Sequence, residues 1–328
     1  MTSRLACFAA ALAAAFAALP ASAQLNAAAQ QRFEQYQLLS PHRVFMLDGT
    51  GRSYTWAGEN GANPTEAVDR GLKYCAERSK GACTVYAVNN VVLNGRDWKS
   101  AAPSALPPIG RLRPEPYWDN KGPQAAAGLI VWSHGYMSGR DATTSAPQAQ
   151  AMNFTMNGYD LYRFDRQWIR DWPGDATALV DAVKQAKAMG YRRVILAGQS
   201  AGGWVSIAAT MRGAPVDGVL ATSPAHHGEV KDMRDTSFAR SEWRQIVGGI
   251  RKGPRVVVVL FKNDSYDVGG RDNDARTAFT ASGVDSMVIS QPDGFVGHSA
   301  AYNASFGAKY GACLYSFIET GTRSPPCN

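Results

Sequence analysis

Near the middle of the chain, Gly198-Gln199-Ser200-Ala201-Gly202-Gly203 follows an apolar run ending at Ala197 and leads into a helix-forming stretch that continues Trp204-Val205. G-x-S-x-G in a strand-turn-helix setting suits a nucleophilic serine, because flanking side chains would collide with the strand and helix around so sharp a turn. A hydroxyl is a poor nucleophile near neutral pH, so Ser200 needs a base to take its proton and an acid to orient that base. Of the five histidines, only His298 follows the last acid-bearing strand, in the glycine-flanked loop Asp293-Gly294-Phe295-Val296-Gly297-His298-Ser299. For the acid, the apolar run 256–261 leads into Lys262-Asn263-Asp264-Ser265-Tyr266-Asp267. Asp264, nearer the strand end, is the first choice and Asp267 the alternative.

Acyl transfer also needs donors for the oxygen that becomes negative, and backbone amides supply about 3 kcal/mol each without reorganising. One is expected from Ala201, directly after the nucleophile. The second is expected from His134-Gly135-Tyr136-Met137-Ser138-Gly139, with the Tyr136 amide first and Met137 second. His134 is expected to shape this loop by hydrogen bonding rather than to act as a base. After residue 164, Asp165-Arg166-Gln167-Trp168-Ile169-Arg170-Asp171-Trp172 mixes indoles with guanidinium groups. Trp168 and Trp172 are candidates to hold an aromatic or anionic substrate by stacking; the alternative is a packed loop that fixes the following helix. His226 and His227 are expected near the pocket rim, His226 as a substrate contact. No third ligand follows at recognisable spacing, so no metal is expected.

These residues need a scaffold that presents loops at one edge. Apolar runs at 128–133, 159–164, 193–197, 216–221, 256–261 and 286–289 alternate with helical stretches. Strands separated by helices imply parallel βαβ units and a sheet covered on both faces, with ligands at the carboxyl ends of the strands. The helix expected over 173–189 carries Ala176, Leu179, Val180, Val183 and Ala186 as one stripe. Upstream, residues 24–39 read as a helix, 43–56 as a hairpin around Asp48-Gly49-Thr50-Gly51, 64–78 as a helix and 83–93 as one strand. Six prolines between 103 and 123 mark a connector.

With 328 residues, 45% of them apolar, and a formal net charge of +7, the chain is neither disordered nor fibrous. The scattered charge gives no nucleic-acid surface. The apolar run 5–19 falls short of the roughly 20 residues that span a bilayer. It follows Arg4 and precedes Ala21-Ser22-Ala23, so residues 1–23 are expected to be a signal peptide cleaved after Ala23, sending a chain without a membrane span to the periplasm or the exterior. Four cysteines then remain, and short loops favour Cys75 with Cys83 and Cys313 with Cys327. C-x-x-C spacing, and with it a cysteine metal site, is missing.

Residues 128 to about 320 resemble the α/β-hydrolase superfamily: His134-Gly135 follows the third core strand, Gly198-x-Ser200-x-Gly202 the fifth, Asp264 the seventh and His298 the eighth. The resemblance implies an α/β fold with a mostly parallel sheet flanked by helices, the triad order Ser, Asp, His, and hydrolysis through an acyl-enzyme without a cofactor. A carboxylic ester, small or polymeric, is the first expectation. A peptidase or amidase of the same fold, or a binding protein that keeps the fold, is the alternative. Only residues 224–241 stand where many relatives carry a lid, so no large lid is expected. The expected organisation is a signal peptide (1–23), an N-terminal α+β accessory region with the proline-rich connector (24–121) and a catalytic domain (122–328). Whether the 43–93 elements supply the first strands of the large sheet or form their own unit stays open.

Overall fold

A computed structural model describes residues 25–58, 63–79, 81–101, 106–136, 145–166 and 171–327. The expected signal peptide lies outside them. Near the amino terminus, β1 (Arg43–Asp48), β2 (Ser53–Ala57), β3 (Cys83–Val88) and β4 (Val91–Val92) form an antiparallel sheet in the order β2-β1-β3-β4. Alternation along β1 sends Phe45 to one face, where α1 (Ala27–Gln37) packs Phe33 and Tyr36, and Val44 and Met46 to the other. There α2 (Pro64–Ala76) contributes Val68 and Cys75, and a disulfide from Cys75 to Cys83 ties the helix to β3. The 43–93 elements therefore form their own sheet. The single strand expected over 83–93 is broken at Asn89, whose φ of 51° turns the chain between β3 and β4.

The second sheet has seven strands: β5 (Leu112–Pro114), β6 (Gly128–Ser133), β7 (Tyr159–Phe164), β8 (Val194–Gln199), β9 (Gly218–Thr222), β10 (Arg255–Leu260) and β11 (Ser286–Ser290). Their order is β11-β10-β9-β8-β6-β7-β5, with every pair parallel except β5 on β7. The antiparallel edge comes from inside the proline-rich connector, where a strand can pair on one side only and tolerates Pro114. Apolar runs bury both faces. One face carries α4 (Trp172–Ala188), α5 (Ala201–Met211), α6 (Thr236–Gly248) and α7 (Arg271–Ser282); the other carries α8 (Ala304–Thr320) and the short α3 (Met152–Met156). Cys313 on α8 pairs with Cys327. Among the described residues, no helix is long and apolar enough to cross a membrane.

After β6 the chain moves outward to β7 and then returns to lay β8 on the other side of β6. This reversal opens a crevice beyond the carboxyl ends of β6 and β8, where ligands of such sheets bind.

Candidate active site

Ser200 joins β8 to α5 with φ 54° and ψ −122°, a conformation that costs a residue with a Cβ on the order of 1–3 kcal/mol. The surroundings hold it there. Its N–H donates to Thr222 O at 3.0 Å, and its carbonyl accepts from Trp204 N at 2.9 Å. The glycines around it are required by close approach: a Cβ on Gly202 would stand 1.9 Å from the carbonyl oxygen of Ser133, and one on Gly198 would stand 2.5 Å from the carbonyl carbon of Gly202.

The loops after β10 and β11 bring two partners to this hydroxyl. His298 Nε2 lies 2.8 Å from Ser200 Oγ, and its Nδ1 lies 2.8 and 3.0 Å from Asp264 Oδ1 and Oδ2. With Nδ1–H donating to the carboxylate, Nε2 is left as the acceptor for the Ser200 O–H. The backbone fixes the imidazole further: Gly297 N–H donates to Lys262 O at 2.8 Å, and the Gln199 amide donates to His298 O at 3.3 Å. Tyr266 packs its ring at 4.2 Å over that of His298. Asp267 is directed elsewhere. It accepts from Gly269 N at 2.9 Å and stands 3.7 Å from Arg271 Nε, and burial raises its pKa above the ordinary carboxylate value.

Ser200 opens into a cleft of about 490 Å³ whose described lining includes Tyr136, Ala201, His226, Glu229, Asp232 and Tyr266. Both expected oxyanion donors, Ala201 and Tyr136, border it. A larger cavity of about 600 Å³ between α1, β2 and the end of α2 holds none of the Ser200, His298 or Asp264 groups, so the smaller cleft is the relevant one. His134 donates from Nδ1 to Gly135 O at 2.7 Å and accepts at Nε2 from Arg166 N–H at 3.1 Å, which fixes the loop that begins after β6. The Arg166 guanidinium also donates to His134 O.

Trp172 packs edge-on against Trp204 at 6.2 Å and His226 at 5.7 Å, under the guanidinium of Arg212, and is absent from the cleft's described lining. Trp168 and Met137 lie outside the described residues. His226 faces the cleft, and burial, followed by the neighbouring His227, pulls its pKa down to about 4. Between β9 and α6 the chain makes only a short 3-10 turn at Val230–Asp232. Nothing in the sequence marks Tyr266 or Gln199 as part of the site, although each adjoins a candidate residue, Asp267 and Ser200 respectively.

The seven-stranded sheet, its antiparallel edge, the switch beside β6 and the turn that carries Ser200 define the α/β-hydrolase fold, joined here to a small antiparallel sheet. No protein-family model and no curated protein sequence matches the chain. Among solved structures it is similar to a puromycin-hydrolyzing peptidase of Mycobacterium tuberculosis, at 15% identity, 66% coverage of this chain, 39% of that one and a TM-score of 0.46. It is also similar to an esterase of Pyrococcus furiosus (14% identity, 59% and 82% coverage, TM-score 0.45) and to Est1E from Butyrivibrio proteoclasticus (15% identity, 61% and 93% coverage, TM-score 0.42). The chain thus spans about two fifths of the length of the mycobacterial peptidase.

Proposed function

We propose that the protein is an exported serine hydrolase that cleaves a carboxylic ester through an acyl-enzyme. The observation that carries this reading is the unbroken relay from Ser200 Oγ through His298 to Asp264, with 2.8 Å at each step. Ser200 Oγ attacks the ester carbonyl carbon as its proton passes to His298 Nε2, and Asp264 stabilises the imidazolium through Nδ1–H. The carbonyl oxygen, now negative, accepts hydrogen bonds from the backbone N–H groups of Ala201 and Tyr136. Collapse of this intermediate breaks the bond to the alcohol oxygen, which takes the proton from Nε2. Water then adds to the acyl carbon, giving its proton to Nε2; the acid is released and the proton returns to Ser200 Oγ.

No cofactor enters these steps. Glu229 and Asp232 stand in the described lining without a Lys or Arg, which favours a neutral or cationic ester over an anionic one. Two disulfides suit the oxidising compartment that cleavage after Ala23 would lead to. In this reading residues 24–121 form an accessory region and 122–328 the catalytic domain.

A fluorophosphonate probe tests the proposal. Wild type should label covalently at Ser200 and Ser200→Ala should not; no labelling of wild type, or equal labelling of both, refutes it. Comparing p-nitrophenyl acetate with p-nitroanilides then separates esterase from amidase. Anilide turnover that matches the ester would favour the peptidase reading.

A further inference from the structure

Beside the Ser200 relay, the fold brings a distant carboxylate to two adjacent histidines, a group of three metal-ligating side chains. His226 and His227 follow β9, and Glu242 arrives from α6. One donor atom from each lies within 4.8 Å of the others. His227 Nε2 stands 2.8 Å from Glu242 Oε2 in a geometry that makes no hydrogen bond, and His226 Nδ1 is buried without a hydrogen-bond partner. Buried nitrogens left unsatisfied are costly and call for an explanation. The two imidazole ring centres are 4.8 Å apart with their planes inclined at 63°, and both rings are backed by Trp204, at 5.5 Å from His226 and 5.7 Å from His227. Phe238 closes the outer side at 5.8 Å from His227.

We propose that His226, His227 and Glu242 form a binding site for a divalent transition-metal ion of the zinc class in the wall of the Ser200 cleft. Two nitrogens and one carboxylate oxygen are a donor set that suits Zn²⁺ or Co²⁺, whereas Mg²⁺ and Ca²⁺ require oxygen-rich shells. Metal–ligand bonds of about 2.0–2.2 Å in a tetrahedron put donors about 3.5 Å apart, so small side-chain rotations suffice to close the group on an ion. Three protein ligands leave a fourth position for water or another donor. Arg271 packs 5.7 Å over Trp204, which backs both imidazoles; its charge is offset by Asp267 at 3.7 Å, and it donates to Pro224 O. Because His226 also lines the cleft, an ion held here reshapes the pocket wall. The site does not depend on the catalytic role proposed for Ser200.

The test uses the whole folded chain, stripped with a chelator and titrated with Zn²⁺ or Co²⁺ alone. Wild type should bind one ion per chain, show the strong visible absorption of tetrahedral Co²⁺, and melt at a higher temperature with Zn²⁺ than without. Glu242→Gln and, separately, His227→Gln should each weaken binding at least about tenfold while keeping the circular dichroism of wild type. Wild type that binds neither ion overturns the proposal, and so does a folded variant of either kind that binds as tightly as wild type. Preference for Mg²⁺ or Ca²⁺ would overturn the donor chemistry on which it rests.

Discussion

Asp264 and Asp267 sit three residues apart on one loop, and their surroundings assign them different work. Both carboxylate oxygens of Asp264 stand within reach of the His298 Nδ1–H, and its Oδ1 also accepts from Tyr266 N at 2.9 Å, so the carboxylate is clamped in the plane the imidazole needs. Asp267 faces Arg271 and its own turn. In the proposed reaction Asp264→Asn should lower kcat by about 10⁴, the scale of an acid-to-amide change that leaves the imidazole in the wrong tautomer. Asp267→Asn should change kcat by less than about tenfold; steady-state kinetics on one ester decides, and the reverse ranking would move the acid to Asp267. The sequence could narrow the acid to these two because both follow one strand. It could not choose between them, since the choice depends on where a loop from a different strand delivers His298.

At the scale of elements, the six parallel strands were legible because each is a short apolar run between helical stretches, and the run from 128 to 133 coincides with β6. The edge strand β5 was not. Three residues between prolines carry no alternation to read, and their pairing is dictated by β7 from about 50 residues away. Glu242 was equally invisible as a neighbour of His226, because α6 returns it through packing rather than spacing. The glycine pattern, in contrast, was read from sequence for a reason that the geometry makes quantitative. In Gly202→Ala the new methyl group meets backbone at Ser133, which cannot rotate away, so α5 must retreat from β6 and carry Ser200 with it. The variant should lose on the order of 3 kcal/mol of stability. Gly248→Ala, near the end of α6 with nothing within 4 Å of the added carbon, should instead gain up to about 1 kcal/mol. Urea denaturation of the two variants beside wild type checks both signs, and a Gly202→Ala protein as stable as wild type would contradict the close approach.

For the molecule as a whole, the two sheets are joined through a buried polar seam. Asn89 accepts from His42 N at 2.7 Å and donates to Pro116 O at 3.0 Å, Asp119 N–H donates to Asn90 Oδ1 at 2.7 Å, and Arg43 lies 5.4 Å over Trp118. At its centre Glu115, fully buried on the connector, stands 3.8 Å from His42 Nε2 and 3.6 Å from Arg163 Nε, without a hydrogen bond to either carboxyl oxygen. Burial pushes the Glu115 pKa from 4.5 up to about 7, against the pull of Arg163, with Asp165 adding to the rise. Burial, aided by Arg163, pushes His42 from 6.5 down to about 4. The folded state therefore holds an extra proton on Glu115 between about pH 4.5 and 7, so this contribution to stability is lost as pH rises through that window. On His42 the unfolded chain holds the extra proton between about pH 4 and 6.5, so that contribution is lost as pH falls. The two slopes oppose each other and largely cancel from pH 4.5 to 6.5, which leaves the seam insensitive to acid although each group alone is not. Removing one partner should expose the other. Relative to wild type, the melting temperature of Glu115→Gln should climb with pH from 4.5 to 7, and that of His42→Gln should fall with pH from 4 to 6.5, each by on the order of 5 °C. Curves that run parallel to wild type across these windows would mean that neither group changes its proton affinity on folding.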